Sequence, residues 1–256
     1  MRIAFFGGSF DPPHNGHLGI ARAAQRALEL DTVLFAPVGR QPLKPAGPSA
    51  SFDDRVAMTR IAIAHEPRFE LSLIDAPVAG STVPNYTADT LLRLRQFLPQ
   101  DAELYLLLGS DSFTALSKWH RAAEIPFLAN LIVASRPVDE PAIPSSLTRN
   151  NQIQNAPALK HEIPYKEAAS YEALDDKAIA ASLPSGVAMQ PLPGQAGHYM
   201  LTNLSGGHAS LTLLPDLHFE ISATQLRHAL QDHASSASEA LPAAVLAYIR
   251  EHHLYA

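Results

Sequence analysis

Short apolar runs alternate with longer amphipathic stretches along the first half of the chain. In the stretch after the first run, Leu18, Ala21, Ala24 and Leu28 recur at helical spacing. A chain in which strands and helices alternate in this way folds into a parallel sheet with helices on both faces. The sequence therefore predicts an α/β fold.

The same periodicities give approximate positions for the elements. The predicted strands are Arg2–Phe6, Thr32–Ala36, Phe69–Ile74, Glu103–Leu108, Asn130–Ala134 and Ala209–Leu214. The predicted helices cover about 15–30, 53–65, 87–97, 120–124, 224–231 and 242–252. Ligands of parallel sheets bind at the carboxyl ends of the strands, near a point where the strand order reverses. The chemistry is therefore expected just after Phe6, Ala36, Leu108 and Ala134.

The segment from about 138 to 208 departs from this pattern, because it is rich in Pro, Ala, Ser and Asn and has weak periodicity. We expect residues 1–256 to form a single domain in which this segment is a surface insertion. It is predicted to hold one short helix around 165–181 and to add no strand to the sheet. A lid over the nucleotide or an oligomer contact remain the alternatives, because long loops are often functional.

Composition excludes several classes of function. With 25 acidic and 19 basic residues, the net charge of −6 disfavours a nucleic-acid partner, which needs a basic surface. The absence of cysteine excludes disulfides, thiolate zinc sites and cysteine nucleophiles. Because no apolar stretch approaches the ~20 residues that span a bilayer, we expect a cytoplasmic protein without a membrane partner.

Unusual polar sequence, GGSFDPPHNGH, follows the first predicted strand. Glycines allow a ligand to approach the backbone, and exposed amides at a helix start favour a phosphate. His14 and His17 are neighbours on one helix face, where two N–H donors suit charge that grows on a transferring phosphoryl group. A zinc site would need further ligands, and no His, Asp or Glu lies at a matching spacing nearby, so no metal ligands are predicted.

The motif GGSFDPPHNGHL resembles the (H/T)-x-G-H nucleotidyltransferase superfamily, and in detail the bacterial nicotinate-nucleotide adenylyltransferases. Further motifs follow in that family's order and extend the resemblance to roughly 1–136 and 209–256: PVGRQPLK, NYTADTL, LLLGSDSFTALSKWH, LIVASRP, ISATQLR and LPAAVLAYIREHHLY. One departure is Leu43, which stands where the family usually has histidine in a Pro-His-Lys loop.

The resemblance implies a Rossmann-like, doubly wound parallel sheet with a C-terminal helical end. It implies that ATP and nicotinate mononucleotide react to deamido-NAD and pyrophosphate in NAD biosynthesis. Mg²⁺ would accompany the ATP rather than occupy a dedicated protein site. The alternatives are an acceptor such as nicotinamide mononucleotide or phosphopantetheine, or a non-catalytic nucleotide-binding protein. Trp119 and the NYTADT segment favour nicotinate, whereas His14, His17 and Arg227 argue against a non-catalytic protein.

By the same resemblance, Trp119 stacks on the nicotinate ring and the amides of Thr87 and His120 bind its carboxylate. Small-molecule substrates are the expected partners, and a homo-oligomer is left open. The implied catalytic residues are His14, His17, Lys44 and Arg227. The implied ATP-binding residues are Gly7, Gly8, Ser9, Phe10, His17, Gly109, Asp111, Arg136, Ser222, Thr224 and Arg227. The implied residues for nicotinate mononucleotide are Ser9, Phe10, Lys44, Thr87, Trp119 and His120.

Overall fold

The computed structural model describes residues 1–42, 47–134, 174–214, 223–232 and 236–255. Within them, eight strands form one sheet in the order β3-β2-β1-β4-β5-β8-β7-β6. The first six strands in this order run parallel to one another, and β7 runs antiparallel to both β8 and β6. The strands are β1 (Arg2–Gly8), β2 (Thr32–Pro37), β3 (Phe69–Leu71), β4 (Glu103–Gly109), β5 (Asn130–Ala134), β6 (Val187–Pro191), β7 (His198–Asn203) and β8 (His208–Leu214).

Helices connect the strands and cover both faces of the sheet. Central strand β4 shows this, because Leu104, Leu106 and Leu108 belong to one buried apolar cluster, whereas Tyr105 and Leu107 belong to another. The doubly wound α/β fold is therefore confirmed. The helices are α1 (Asn15–Ala27), α2 (Phe52–Ile63), α3 (Thr87–Phe97), α4 (Ser110–Thr114), α5 (Ile125–Leu128), α6 (Asp176–Ser182), α7 (Ala223–Gln231), α8 (Ser236–Ala240) and α9 (Ala243–Glu251), with a 3₁₀ turn at Leu116–Lys118.

Strands β1 and β4 are adjacent at the centre of the sheet, and the strand order reverses between them. After β1 the chain adds β2 and β3 on one side, then returns to place β4 and β5 on the other. Connections that leave β1 and β4 in opposite directions open a crevice at their carboxyl ends. This geometry places the loop after β1 at the position expected for ligand binding.

The prediction that 138–208 adds no strand is wrong, because β6 and β7 extend the sheet beyond β8. In β7 the buried Tyr199 and Leu201 alternate with the exposed Met200, and Ile179 of α6 is fully buried in the same core. That alternation is only a few residues long and lies between turn glycines, so it is easily mistaken for loop sequence. Of the helix predicted around 165–181, the structure contains α6, and residues 135–173 lie outside the described residues.

A second prediction is also wrong: residues 120–124, predicted to be helical, form turns between the 3₁₀ segment and α5. Arg121 has a left-handed φ of 54°, which a continuous right-handed helix does not allow. Farther along, the predicted closing helices are present as α7 and α9. They pack through Leu226, Val245 and Leu246 against Met58 of α2 in a third apolar cluster. No described helix is long and apolar enough to cross a membrane.

Candidate active site

His14 and His17 lie together where the loop after β1 enters α1. His14 is the N-cap residue, with extended backbone, and His17 is the third residue of the helix. The backbone N–H of His14 donates to Nδ1 of His17 at 3.2 Å, and the two ring centroids are 3.7 Å apart. Since Nδ1 accepts this hydrogen bond, the neutral ring of His17 carries its proton on Nε2. His17 is thereby oriented as an Nε2–H donor.

The loop before the histidines has a fixed shape, because Phe10 is buried in a left-handed conformation with φ 48°. Its ring packs against Phe6 and Phe35 with centroids 5.5 Å apart, and against His17 at 5.0 Å. Such backbone strain persists where surrounding packing enforces it. A Cβ on Gly8 would lie 3.2 Å from the Phe10 ring, so a larger residue would disturb this arrangement.

Arg227 reaches the same loop from α7. Its Nη1 donates to the backbone oxygen of Asp11 at 2.9 Å, and its Nη2 donates to Oγ1 of Thr224 at 3.2 Å. At the other end of the loop, Asn15 Nδ2 donates to the backbone oxygen of Glu239 at 3.0 Å. The structure therefore brings Thr224 and Arg227, both predicted to bind ATP, to the loop that carries the histidines.

The other residues predicted to bind ATP divide into two groups. Gly7 and Gly8 end β1, and Gly109 and Asp111 lie where neighbouring β4 passes into α4. These four residues share the carboxyl edge of the sheet with the histidines. Arg136 and Ser222 lie outside the described residues, as does Lys44, which is predicted to be catalytic and to bind nicotinate mononucleotide. Within the part of the chain that the structure describes, no group of three or more His, Asp or Glu side chains is arranged to hold a metal ion.

A buried arginine, Arg55, binds the backbone of the loop after β1. Arg55 of α2 is 1% exposed, and its guanidinium donates to the backbone oxygens of Ser9 at 2.7 Å and Val38 at 2.9 Å. Burial lowers the pKa of Arg55, and the negative charge of Asp11 offsets part of this effect. Arg55 thus joins the loop after β1 to the end of β2 and places a positive charge beneath the site.

The loops after β2 and β3 are joined to the loop after β1. Gln41 Nε2 donates to Oγ of Ser9 at 2.8 Å, and the N–H of Gly39 donates to the oxygen of Asp75 at 2.8 Å. A Cβ on Gly39 would lie 2.8 Å from the nitrogen of Pro77, so only glycine permits this approach. Hydrogen bonds therefore connect the loops after β1, β2 and β3.

Thr87, Trp119 and His120 lie on neighbouring segments. Thr87 begins α3, and the ring of the preceding Tyr86 lies 4.4 Å from that of His120. Trp119 is half-buried against the core, and its indole Nε1–H finds no acceptor among the described residues. The first backbone N–H groups of a helix such as α3 have no partner within the helix and can bind an anion. These features suit a carboxylate beside an aromatic ring.

Comparison with known proteins identifies the family. The model of the cytidylyltransferase-like family matches residues 5–191. The chain belongs to the cytidylyltransferase-like family. A probable nicotinate-nucleotide adenylyltransferase from Dehalococcoides mccartyi is 31% identical over 255 residues, which cover 100% of this chain and 97% of that relative. One from Trichlorobacter lovleyi is 47% identical over 137 residues, 54% of this chain and 62% of that relative.

Two solved structures share the fold of this family member. Both are Plasmodium falciparum nicotinic acid mononucleotide adenylyltransferases, one complexed with APC and one with NaAD, and both have a TM-score of 0.62. Each covers 99% of this chain at 15% and 16% identity, respectively, so the likeness concerns the fold. Together with the curated relatives, this confirms the resemblance that the motifs indicate.

Sequence reasoning missed three residues of this cytidylyltransferase-like site: Asp11, Arg55 and Tyr255. Asp11 lies inside the recognised motif, but none of its neighbours in sequence indicates that its carboxylate is buried. Arg55 precedes Met58 by three residues, so it shares a helix face with a core residue. Tyr255 has no comparable signal, because its hydroxyl meets a side chain 244 positions away.

Arg121 fixes the turn that contains Trp119 and His120. Its Nη1 donates to Oδ1 of Asp89 in α3 at 3.0 Å, and its Nε and Nη2 bind the carboxylate of Glu124. Hydrogen bonding and attraction to Glu124, with a contribution from Asp89, raise the pKa of Arg121. The Asp89–Arg121 contact therefore sets the position of the turn relative to Thr87.

We expect Asp89→Ala to raise the KM for the acceptor nucleotide about fivefold while the KM for ATP stays unchanged. The reason is that Asp89 orders only the turn with Trp119 and His120, which the resemblance assigns to the acceptor. Initial-rate kinetics with each substrate varied in turn measure both constants. Glu66→Ala is the matched control, since it removes the Arg22–Glu66 ion pair between α1 and the turn after α2. Equal changes in the two KM values, or none, would contradict the assigned role.

Proposed function

We propose that this protein transfers the adenylyl group of ATP to the phosphate of nicotinate mononucleotide, which forms deamido-NAD and pyrophosphate in NAD biosynthesis. The observation that carries the proposal is the paired His14 and His17 at the first turn of α1, with Arg227 bound to the same loop. These cationic and N–H groups lie at the switch point of the sheet. The names of the curated relatives support the same reaction.

The reaction needs alignment and charge stabilisation more than a strong base. An oxygen of the acceptor phosphate, already ionised at neutral pH, forms a bond to the α-phosphorus of ATP while the α–β bridging bond breaks and pyrophosphate leaves. We assign His17 Nε2–H and His14 to the α-phosphoryl group, and Arg227, with Lys44, to the phosphates whose charge grows. The backbone amides of the loop after Gly8 add neutral donors.

A divalent metal ion generally accompanies ATP in such transfers, and we propose that Mg²⁺ enters as part of the MgATP substrate. It would neutralise charge on the phosphates and the leaving pyrophosphate. The substrate itself then supplies most of the metal's ligands, as is usual for Mg²⁺ at nucleotide sites. His14, His17 and Arg227 act on the phosphoryl oxygens that the ion leaves uncovered.

The remaining assignments are those that the resemblance to the family's motifs implies. For ATP, we propose contacts with Gly7, Gly8, Ser9, Phe10, Gly109, Asp111 and Thr224 in addition to the histidines and Arg227, and with Arg136 and Ser222 beyond the described residues. For the acceptor, we propose Ser9, Phe10, Lys44, Thr87, Trp119 and His120. We further propose that the chain is a single nucleotidyltransferase domain that acts in the cytoplasm on small nucleotides, without a nucleic-acid or membrane partner.

The nicotinate carboxylate should decide which acceptor is used. We expect kcat/KM to be at least about 100-fold higher for nicotinate mononucleotide than for nicotinamide mononucleotide, because the neutral carboxamide leaves the amide donors of Thr87 and His120 partly unpaired. The test is pyrophosphate release by the protein with ATP and Mg²⁺ and one acceptor at a time: nicotinate mononucleotide, nicotinamide mononucleotide or phosphopantetheine.

The three acceptors and a reaction without acceptor separate the alternatives. Equal kcat/KM for the two mononucleotides, or a preference for the amide, would refute the assigned acceptor. Pyrophosphate release with phosphopantetheine as the acceptor, but with neither mononucleotide, would identify a different adenylyltransferase. ATP binding without pyrophosphate release from any mixture would identify a non-catalytic nucleotide-binding protein. The His17→Ala protein, assayed in parallel, shows whether any pyrophosphate signal comes from this site.

A further inference from the structure

Asp11 is a buried carboxylate within the loop after β1, and its oxygens have three donors. The backbone N–H groups of Ser49 and Ala50 donate to it at 2.7 Å and 3.0 Å, and the hydroxyl of Tyr255 donates to Oδ1 at 2.7 Å. Asp11 is only 3% exposed. A buried carboxylate is stable only when its lone pairs are satisfied, so these three contacts determine where Asp11 lies.

The position of Asp11 in turn determines the position of Arg227. Nη1 of Arg227 donates to the backbone oxygen of Asp11 at 2.9 Å, and it lies 3.8 Å from the carboxylate oxygen Oδ2. The second Arg227 contact, with Thr224, is within its own helix. Asp11 is therefore the residue that ties this cation to the loop that leads into His14.

Tyr255 belongs to a different part of the molecule. It follows α9, and its ring packs against the third apolar cluster, which joins α2 to the closing helices. Because a carboxylate only accepts hydrogen bonds, the Tyr255 hydroxyl must be the donor. Burial and the hydrogen bond to Asp11 raise the pKa of Tyr255 far above its ordinary value, so the hydroxyl keeps its proton at neutral pH.

We propose that Tyr255 is a positioning residue which, through Asp11, holds Arg227 in place for the transfer step. The proposal rests on the function proposed above for the step that Arg227 assists. The hydroxyl of Tyr255 supplies one of three donors to Asp11, and its loss leaves a buried carboxylate free to shift toward solvent. Any such shift moves the Asp11 carbonyl oxygen that Arg227 binds.

Tyr255→Phe removes only the hydroxyl, and Tyr248→Phe is its matched control. The hydroxyl of Tyr248, on α9, also donates to a carboxylate, Oδ1 of Asp54 at 3.0 Å. Among the described residues, the other side chain that binds the Asp54 carboxylate is Ser51, not Arg227 or a residue of the histidine loop. We expect Tyr255→Phe to lower kcat about tenfold with little change in the KM for nicotinate mononucleotide, as for one lost charge-assisted hydrogen bond. Tyr248→Phe should keep the kcat of the unaltered protein.

A double-mutant cycle tests whether the effect passes through Arg227. If it does, adding Tyr255→Phe to an Arg227→Ala protein should lower kcat by less than about twofold, because the group that Tyr255 positions is already absent. A full tenfold further loss would overturn the proposed path. So would a Tyr255→Phe protein with a lowered Tm and an unchanged kcat, since the hydroxyl would then be merely structural.

Hydrogen exchange of the protein without substrates gives a readout that does not depend on activity. In Tyr255→Phe, amides in peptides that cover 7–17 should exchange faster than in the unaltered protein, and in Tyr248→Phe they should not. If the unaltered protein releases no pyrophosphate, the proposed function fails, and the exchange result still decides whether Tyr255 orders this loop. If the unaltered protein is active but neither kcat nor exchange responds to Tyr255→Phe, the positioning role alone is overturned.

Discussion

His17→Ala is expected to lower kcat at least about 100-fold, the usual effect of removing one donor that stabilises transition-state charge. The physical basis is the hydrogen bond from the His14 N–H to Nδ1 of His17, which leaves Nε2 as the proton carrier. Steady-state kinetics with saturating ATP and nicotinate mononucleotide measure the loss, and circular dichroism verifies the fold. Arg26→Ala, on the exposed face of the same helix, should leave kcat unchanged.

Two further substitutions separate the helix-start role of His17 from its donor role. The oxygen of an asparagine side chain can replace Nδ1 and still accept from the His14 N–H, but asparagine does not reach the Nε2 position. The amide of glutamine reaches that position without replacing Nδ1. We therefore expect His17→Asn to retain stability without turnover, and His17→Gln to recover part of the turnover. A folded His17→Ala protein within tenfold of normal kcat contradicts this assignment.

The part of the site formed by the end of β1, the loop after it and the start of α1 could be predicted from sequence, because the signals for it are local. Gly7 and Gly8 end an apolar strand. His14 and His17 are three residues apart, a spacing that makes them neighbours on one face of a helix. The strand–helix alternation likewise predicts a parallel sheet, whose carboxyl edge then brings Gly109 near the histidines. Each of these inferences depends on neighbours within a few residues.

The missed features depend on distant contacts. Asp11 is held by Tyr255, 244 positions away, and by the amides of Ser49 and Ala50, so nothing beside it in sequence indicates its burial. In the sequence, Arg55 resembles a solvent-exposed helix residue, and only the contact with the loop after β1 shows that it is buried. The turn at Arg121 was misjudged because its left-handed φ is maintained by contacts with Asp89 and Glu124 rather than by a glycine.

Arg55→Met is expected to lower the free energy of unfolding by about 3 kcal/mol, because two backbone oxygens each lose a hydrogen bond of roughly 1.5–3 kcal/mol from a charged donor. Methionine approximates the length of the side chain without its donors, so the effect of a cavity stays small. Urea unfolding at pH 7 gives the difference. Arg60→Met, exposed on the same helix, should change stability by less than about 0.5 kcal/mol.

Two opposing effects decide the sign of this prediction. The lowered pKa of Arg55 means that burial of the guanidinium costs more than the attraction to Asp11 returns, and an apolar side chain avoids that cost. Against this, the buried carboxylate of Asp11 loses its nearby cation, and the oxygens of Ser9 and Val38 stay buried without their donor. Removal of a single partner from a buried charged group usually costs about 3–5 kcal/mol, so the second effect should prevail. An Arg55→Met protein as stable as the unaltered one would show that desolvation dominates, and that Arg55 is retained for the shape of the histidine loop rather than for stability.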